Sequence, residues 1–242
     1  MERMKKSSEL LWIFGIVFVS LGVAICNKAD LGVSMIAAPA FVISEALINI
    51  SPFFNVGVTE YIIQGLLLIT MCIVVQRFDW RYLFTFAVAV IYGYTLNLFL
   101  YFLDSIVFEE VWLRWIMLII GDLVTGFGVA CFFRTYLPLQ VYELFVSEIS
   151  KRFKFNINKT KWIFDISLLL ISLVLSIIFF GDLAKFDFST ICETSFHSIG
   201  LGTILTTLIN SPIITLAGKL VDKIFEPTPL FPRLESAVKY KS

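Results

Sequence analysis

Asp122 is the residue whose type and position most plainly ask for chemistry. It stands near the middle of an apolar run, 111–133, one place after Gly121. A carboxylate at that depth in a bilayer costs about 2.5–3.5 kcal/mol on insertion scales unless it finds a partner or water. Facing a watery cavity, such an acid binds a cation or carries a coupling proton; facing a neighbouring helix, it makes a structural hydrogen bond. Lys28 and Arg134 each end an apolar run, and each either binds an anionic group or extends its charge to a lipid headgroup. Gln64 and Asp165 lie early in two further runs, as caps or ligands. Asn97 and Asn210 lie inside two others, where an amide faces a cavity or bonds across to another helix. Ser34 belongs to a stripe of small and polar residues, and Gln140 and Glu143 open a second stripe with Ser147 and Lys151. These ten residues form the candidate binding set for a small anionic or zwitterionic solute, with a coupling ion beside it.

Other chemistry finds little support. No nucleophile elbow, HExxH, P-loop or glycine-rich phosphate fingerprint occurs, so no enzymatic activity is expected. His197 has no Cys, Asp or Glu at ligand spacing, and neither a metal nor a cofactor is expected. Cys26, Cys72, Cys131 and Cys192 stand singly and read as packing residues. A formal net charge of zero gives no reason to expect a nucleic acid.

The elements that must position these residues are membrane helices. The 242 residues are 58% hydrophobic, and the mean hydropathy is +0.88, well above what a domain with a charged surface allows. Apolar runs at 10–26, 58–75, 81–103, 111–133, 162–180 and 197–220 have the length of spans, which need about 20 residues. Of two more, 33–50 is about long enough to cross but interrupted, and 137–150 is too short to cross comfortably. Pro39 falls inside the first of them. The chain from Val221 reads as a solvated tail.

The order of runs repeats. Placing Gly22 on Gly128, a shift of 106 residues, aligns Lys28 with Arg134 and Ser34 with Gln140; Gly15 then falls on Gly121. A second register, shifted by 101, places Asn55 on Asn156, Thr59 on Thr160 and Gln64 on Asp165. The expected fold is therefore an all-α membrane protein of six spans with two broken or re-entrant short helices, in two repeats. Its parts are an N-terminus 1–9, repeats 10–110 and 111–222, and a tail 223–242.

The broken stretch Lys28-Ala-Asp-Leu-Gly-Val-Ser after a glycine-bearing span, with Ile199-Gly-Leu-Gly-Thr-Ile-Leu-Thr-Thr-Leu-Ile-Asn-Ser-Pro in the last, resembles the YczE/YitT type of bacterial membrane protein. The likeness runs from about Leu10 to Asp222. It implies a multi-pass protein of the bacterial cytoplasmic membrane and brings no settled activity. The expected partners are the lipid bilayer, a small solute with its coupling ion, and a second copy of the chain in a homodimer. The alternative is a non-transporting accessory factor that docks a partner through the basic loop 151–161 and the proline-bearing tail.

Charge placement bears on topology. With the N-terminus inside and the two short helices turning back, Arg77, Arg81, Arg134, the cluster 151–161, Lys219 and Lys223 all fall on the cytoplasmic side. The halves are then inverted, whereas eight crossings would make them parallel. In a background without native cysteines, Asn55→Cys is expected to react with an impermeant maleimide from outside intact cells. Labelling only after the cytoplasmic face is opened would exclude the inverted arrangement.

Overall fold

The computed structural model describes residues 4–181 and 199–231. Eight helices occur among them: α1 (Ser8–Lys28), α2 (Ala38–Leu47), α3 (Val56–Val75), α4 (Tyr82–Phe102), α5 (Val111–Phe132), α6 (Val141–Phe153), α7 (Ile157–Phe180) and α8 (Leu201–Ile224). Local signals bound them. Ser7 and Asn55 cap α1 and α3 by accepting from the Leu10 and Val58 amides, and left-handed residues Gln76 and Lys154 close α3 and α6. In the α3–α4 turn, hydrogen bonds from Arg81 hold the Asp79 carboxyl below the ordinary carboxylate range. Cys192, His197 and the charged stretch Asp182, Lys185 and Asp187 lie outside the described residues.

Six helices, α1, α3, α4, α5, α7 and α8, are long and apolar enough to cross a membrane. α2 does not reach: at about 1.5 Å per residue, its 10 residues cover half of a hydrocarbon core of about 30 Å. Its shortness corrects the expectation for 33–50. Residues 33 and 34 are irregular, 35–37 form a turn, and Pro39 sits in the first turn of α2, where a missing N–H costs nothing, rather than in a helix interior. Large apolar side chains such as Ile69, Ile73, Ile163 and Ile178 face outward from the bundle, and Trp80, Trp112 and Trp162 are exposed near helix ends, as bilayer contact requires.

α1 and α5 form the central pair and run antiparallel, with Gly15 beside Gly128 and Gly22 beside Gly121. A β-carbon built on Gly121 would stand 2.6 Å from Cys26 Sγ and 2.8 Å from the Gly22 carbonyl oxygen, so only glycine admits this approach. α8 packs on α5 in the same direction, Leu118 meeting Gly202 and Ile213 meeting Gly126, and α4 packs on α1. α3 meets α6, and α2 meets α7. Exchanging α1 with α5, α2 with α6, α3 with α7 and α4 with α8 keeps the α1–α5 pair and carries α5–α8 onto α1–α4 and α3–α6 onto α2–α7. The α3–α4 pairing has no comparable partner between α7 and α8 among the described residues.

Both short helices return to the end of the bundle they came from. Lys28 at the end of α1 pairs with Asp104 beyond α4, and the start of α3 is bonded to Asn97 near the end of α4, so 29–55 departs from and rejoins one end. At the opposite end Tyr136 donates to the Glu9 carboxylate, and Tyr82 at the start of α4 donates to Glu148 of α6 at 3.2 Å, so 134–156 also stays on its own side. Two four-residue strands, β1 (Met4–Ser7) and β2 (Phe225–Thr228), pair in parallel there and join the N-terminus to the end of α8. Residues 221–228 are therefore tied to the bundle: Val221 is fully buried against Leu11 and Cys131, and α8 continues to Ile224 before β2.

Gly121→Leu is expected to lower the stability of the detergent-solubilised protein by about 1–3 kcal/mol through overpacking, while Leu123→Ala, on the lipid-facing side of the same helix at 49% exposure, changes it little. Equal melting temperatures for the two variants would contradict the α1–α5 seam.

Candidate functional site

The two short helices bring their N-termini to one cavity. Ser34, Ile36 and Ala37, leading into α2, and Gln140, Tyr142 and Glu143, opening α6, line a space of about 70 Å³ closed by Glu60, Tyr92, Thr125, Lys161 and Asn210. A second cavity of about 510 Å³ adjoins it between α7 and α8, sharing Ser34, Ile36, Lys161 and Asn210 and adding Asp165, Thr207, Ser211 and Thr215. Backbone that leaves the helical pattern at this depth must find partners within the protein. It does so at both breaks: the Leu31 carbonyl accepts from the Gly202 amide at 2.8 Å, and the Pro138 carbonyl accepts from Trp12 Nε1 at 3.1 Å. Gly32, at φ 107°, makes the first break's turn, and a β-carbon there would stand 2.6 Å from the Gly200 amide.

Each short helix is met by a polar pair one turn apart on a spanning helix. On α3, Gln64 accepts a long hydrogen bond from the Val141 amide, 3.4 Å, and donates one of equal length to Glu60, which also accepts from the Tyr142 hydroxyl at 3.2 Å. Gln64 thus caps another helix rather than its own. On α7, Lys161 pairs with Asp165 at 3.7 Å beside Ser34. The register that aligns Gln64 with Asp165 aligns Glu60 with Lys161, so the same two places carry an acid with an amide on one side and a base with an acid on the other. Glu60 is 1% exposed and Gln140 8% exposed. Glu60 Oε2, Glu143 Oε2, Asp165 Oδ1, Asn210 Oδ1 and Gln140 Nε2 are buried without a hydrogen-bond partner.

Of the ten candidates, Ser34, Gln140, Glu143, Asp165 and Asn210 line the cavities, and Gln64 stands behind Glu60. The other four lie elsewhere. Lys28 donates to the Asp104 carboxylate at 3.1 Å and to its carbonyl at 3.0 Å, and Arg134 grips both oxygens of Asp222 at 2.6 and 2.7 Å. These bases tie matching helix ends and are engaged by carboxylates rather than standing free at the breaks. Asp122 is 2% exposed, on the α8-facing side of α5 with Leu118 and Gly126 one turn away, and it is absent from both cavity linings. Asn97 accepts from the Gly57 amide at 2.8 Å and donates to Asn55, sealing α4 onto the start of α3.

Glu60 and Lys161 were not among the expected ligands. Glu60 lies near the start of its span, and Lys161 closes a basic loop in the sequence. The repeat register was the signal that pairs them, since opposite charges at matched membrane positions are costly on both sides. No group of three or more His, Cys, Asp or Glu is placed to hold a metal ion among the described residues.

Six membrane-length helices around two half-helices that meet at a polar cavity define a multi-pass membrane protein with a central site. The chain belongs to the family of unknown function DUF6198, whose model matches residues 6–219. The match brings no evidence for or against the YczE/YitT resemblance. No curated protein and no solved structure matches the chain.

Asn97→Ala deletes bonds to α3, whereas Asn210 Oδ1 has no partner to lose. The first variant is expected to cost about 1–3 kcal/mol and the second less than about 0.5 kcal/mol in thermal or denaturant unfolding in detergent. Equal losses would show that Asn210 is held by a partner in the folded protein.

Proposed function

We propose that the protein is a secondary transporter, not an enzyme, that carries a small zwitterionic or anionic solute through the cavity between two inverted halves. What carries this reading is the meeting of two half-helix N-termini at one buried polar cavity. Such ends present amides and partial positive charge to a bound solute, and in transporters built from inverted repeats the substrate lies at this junction. The antiparallel α1–α5 pair and the exchange of helix pairings between the halves support an inverted arrangement.

The charges favour a zwitterion over a simple anion. Lys161 supplies one cation to the shared lining, against the carboxylates Glu60, Glu143 and Asp165. A solute carrying both signs uses Lys161 with the α2 end for its acid group and Asp165 for its ammonium. The 510 Å³ space between α7 and α8 is large enough for an amino acid or a compound of similar size. Basic residues gather at the end of the bundle that holds the N-terminus, which supports cytoplasmic termini and a place in the bacterial cytoplasmic membrane.

The test is uptake by proteoliposomes of the purified full chain, using a panel of labelled amino acids and betaines. Wild type is expected to accumulate at least one of them. Lys161→Gln and Asp165→Asn should lower the rate by about tenfold or more, since both line the larger space and meet the solute. Lys28→Gln, at a helix end away from the cavity, should retain it. No uptake of any zwitterion or anion, or equal rates for Lys161→Gln and Lys28→Gln, would overturn the proposal.

A further inference from the structure

The smaller cavity has an imbalance of hydrogen-bonding groups. Three of its lining oxygens, Glu60 Oε2 on α3, Glu143 Oε2 on α6 and Asn210 Oδ1 on α8, are buried acceptors with no donor. The other oxygen of Glu60 is already taken by Tyr142 and Gln64. Thr125 spends its hydroxyl proton on the Gly121 carbonyl at 2.8 Å, which leaves its oxygen able to accept as well. On the donor side stand Gln140 Nε2, itself unpartnered, and the Lys161 ammonium, engaged by Asp165. Each unmatched buried acceptor carries a desolvation cost, and a buried carboxylate a larger one, until a donor or a cation arrives.

We propose that this chamber binds a monovalent alkali cation through Glu60, Glu143 and Asn210, and that the cation couples solute binding to movement of α8. The donors are all hard oxygens, which suit alkali and alkaline-earth ions rather than softer metals. Two carboxylates carry two negative charges, and the Lys161 ammonium on the same lining offsets part of them, which favours a single positive charge over a divalent ion; no third acid joins them in a metal-binding group among the described residues. A cavity of about 70 Å³ gives such an ion room with a few waters, while the solute occupies the larger space beside it. The ligands come from three helices, so the bound ion fastens α8 to the α3–α6 pair. It changes the affinity of the adjoining solute site because Asn210 lines both cavities. The coupling, though not the binding, rests on the transporter reading.

The binding is testable without transport. Thermal unfolding of the purified full chain in detergent is followed while sodium or potassium chloride replaces choline chloride at constant ionic strength and pH. A saturable rise in melting temperature with one of these salts is expected in the wild type. Glu60→Gln and Asn210→Ala should weaken the apparent affinity by about tenfold or more, and Asp104→Asn, at the far end of α4, should leave it unchanged. If Glu60→Gln does not fold, Asn210→Ala alone carries the comparison. Indifference of the wild type to both salts, including stability that follows pH alone as for a proton site, overturns the proposal, as does an unweakened response in Asn210→Ala. Cation binding without any uptake would leave the site standing and remove the transporter, whereas uptake with no cation response would do the reverse.

Discussion

The α1–α5 seam is the constraint on which the rest depends. Two spanning helices approach until the Gly15 and Gly22 backbone meets that of Gly128 and Gly121, an approach that any β-carbon at Gly121 or Gly128 would block. In a bilayer, where lipid tails are as apolar as leucine, helices gain little from burying apolar faces, and close backbone packing replaces that driving force. Because the pair is antiparallel, whatever follows α1 at one end of the bundle has its counterpart following α5 at the other. The two broken segments therefore enter from opposite ends and can meet.

Broken helices at membrane depth set a second demand, that every freed backbone group be answered inside the protein. The fold meets it with polar residues that would otherwise have no reason to lie in spans. Gln64 caps the start of α6, Gly202 and Trp12 serve carbonyls of the two breaks, and Ser44 donates to the Phe54 carbonyl at 2.9 Å where α2 returns toward α3. Once the breaks are satisfied, the remaining lining groups are in excess, and Glu60, Glu143 and Asn210 are among those left over. A polar group that packing does not need is the one free to meet a ligand, which is why unmatched acceptors weigh more here than conspicuous charges.

Conspicuous charge is also where the sequence says least about surroundings. Lys28, Arg134 and Asp122 stand out because hydropathy reports depth in the membrane, but depth does not say which face of a helix a residue occupies or which acid waits beside it. Asp104 and Asp222 lie 76 and 88 residues from their partners, and nothing local announces those pairs. The run lengths and the two repeat registers, by contrast, are properties of the chain itself, so the eight helices were legible. So was the shortness of the sixth. The length of the second helix was misjudged because 33–50 is mostly apolar; the residues before α2 form a turn held by tertiary contacts at Gly32 and Leu31. Glu60 was hidden by its nearness to a helix start, where a polar residue attracts no notice.

The departures from symmetry carry their own argument. Gly57 and Gly93 bring α3 and α4 together, and Asn97 locks the contact; between α7 and α8 the corresponding region holds the 510 Å³ cavity, with Asn210 unpartnered on its wall. If the halves share one construction, the closed pair is a pattern that the open pair can also adopt, and the difference between them is small in bonds although large in access. Closing α8 onto α7 would seal the cavity toward one side, while loosening α4 from α3 would expose it to the other. A few hydrogen bonds at each seam, each worth about 1 kcal/mol, are of the size that a bound ion and solute can outweigh. On the proposed reading, the unequal seams are therefore the two ends of one equilibrium, and the orphan acceptors beside Asn210 are where ligands would shift it.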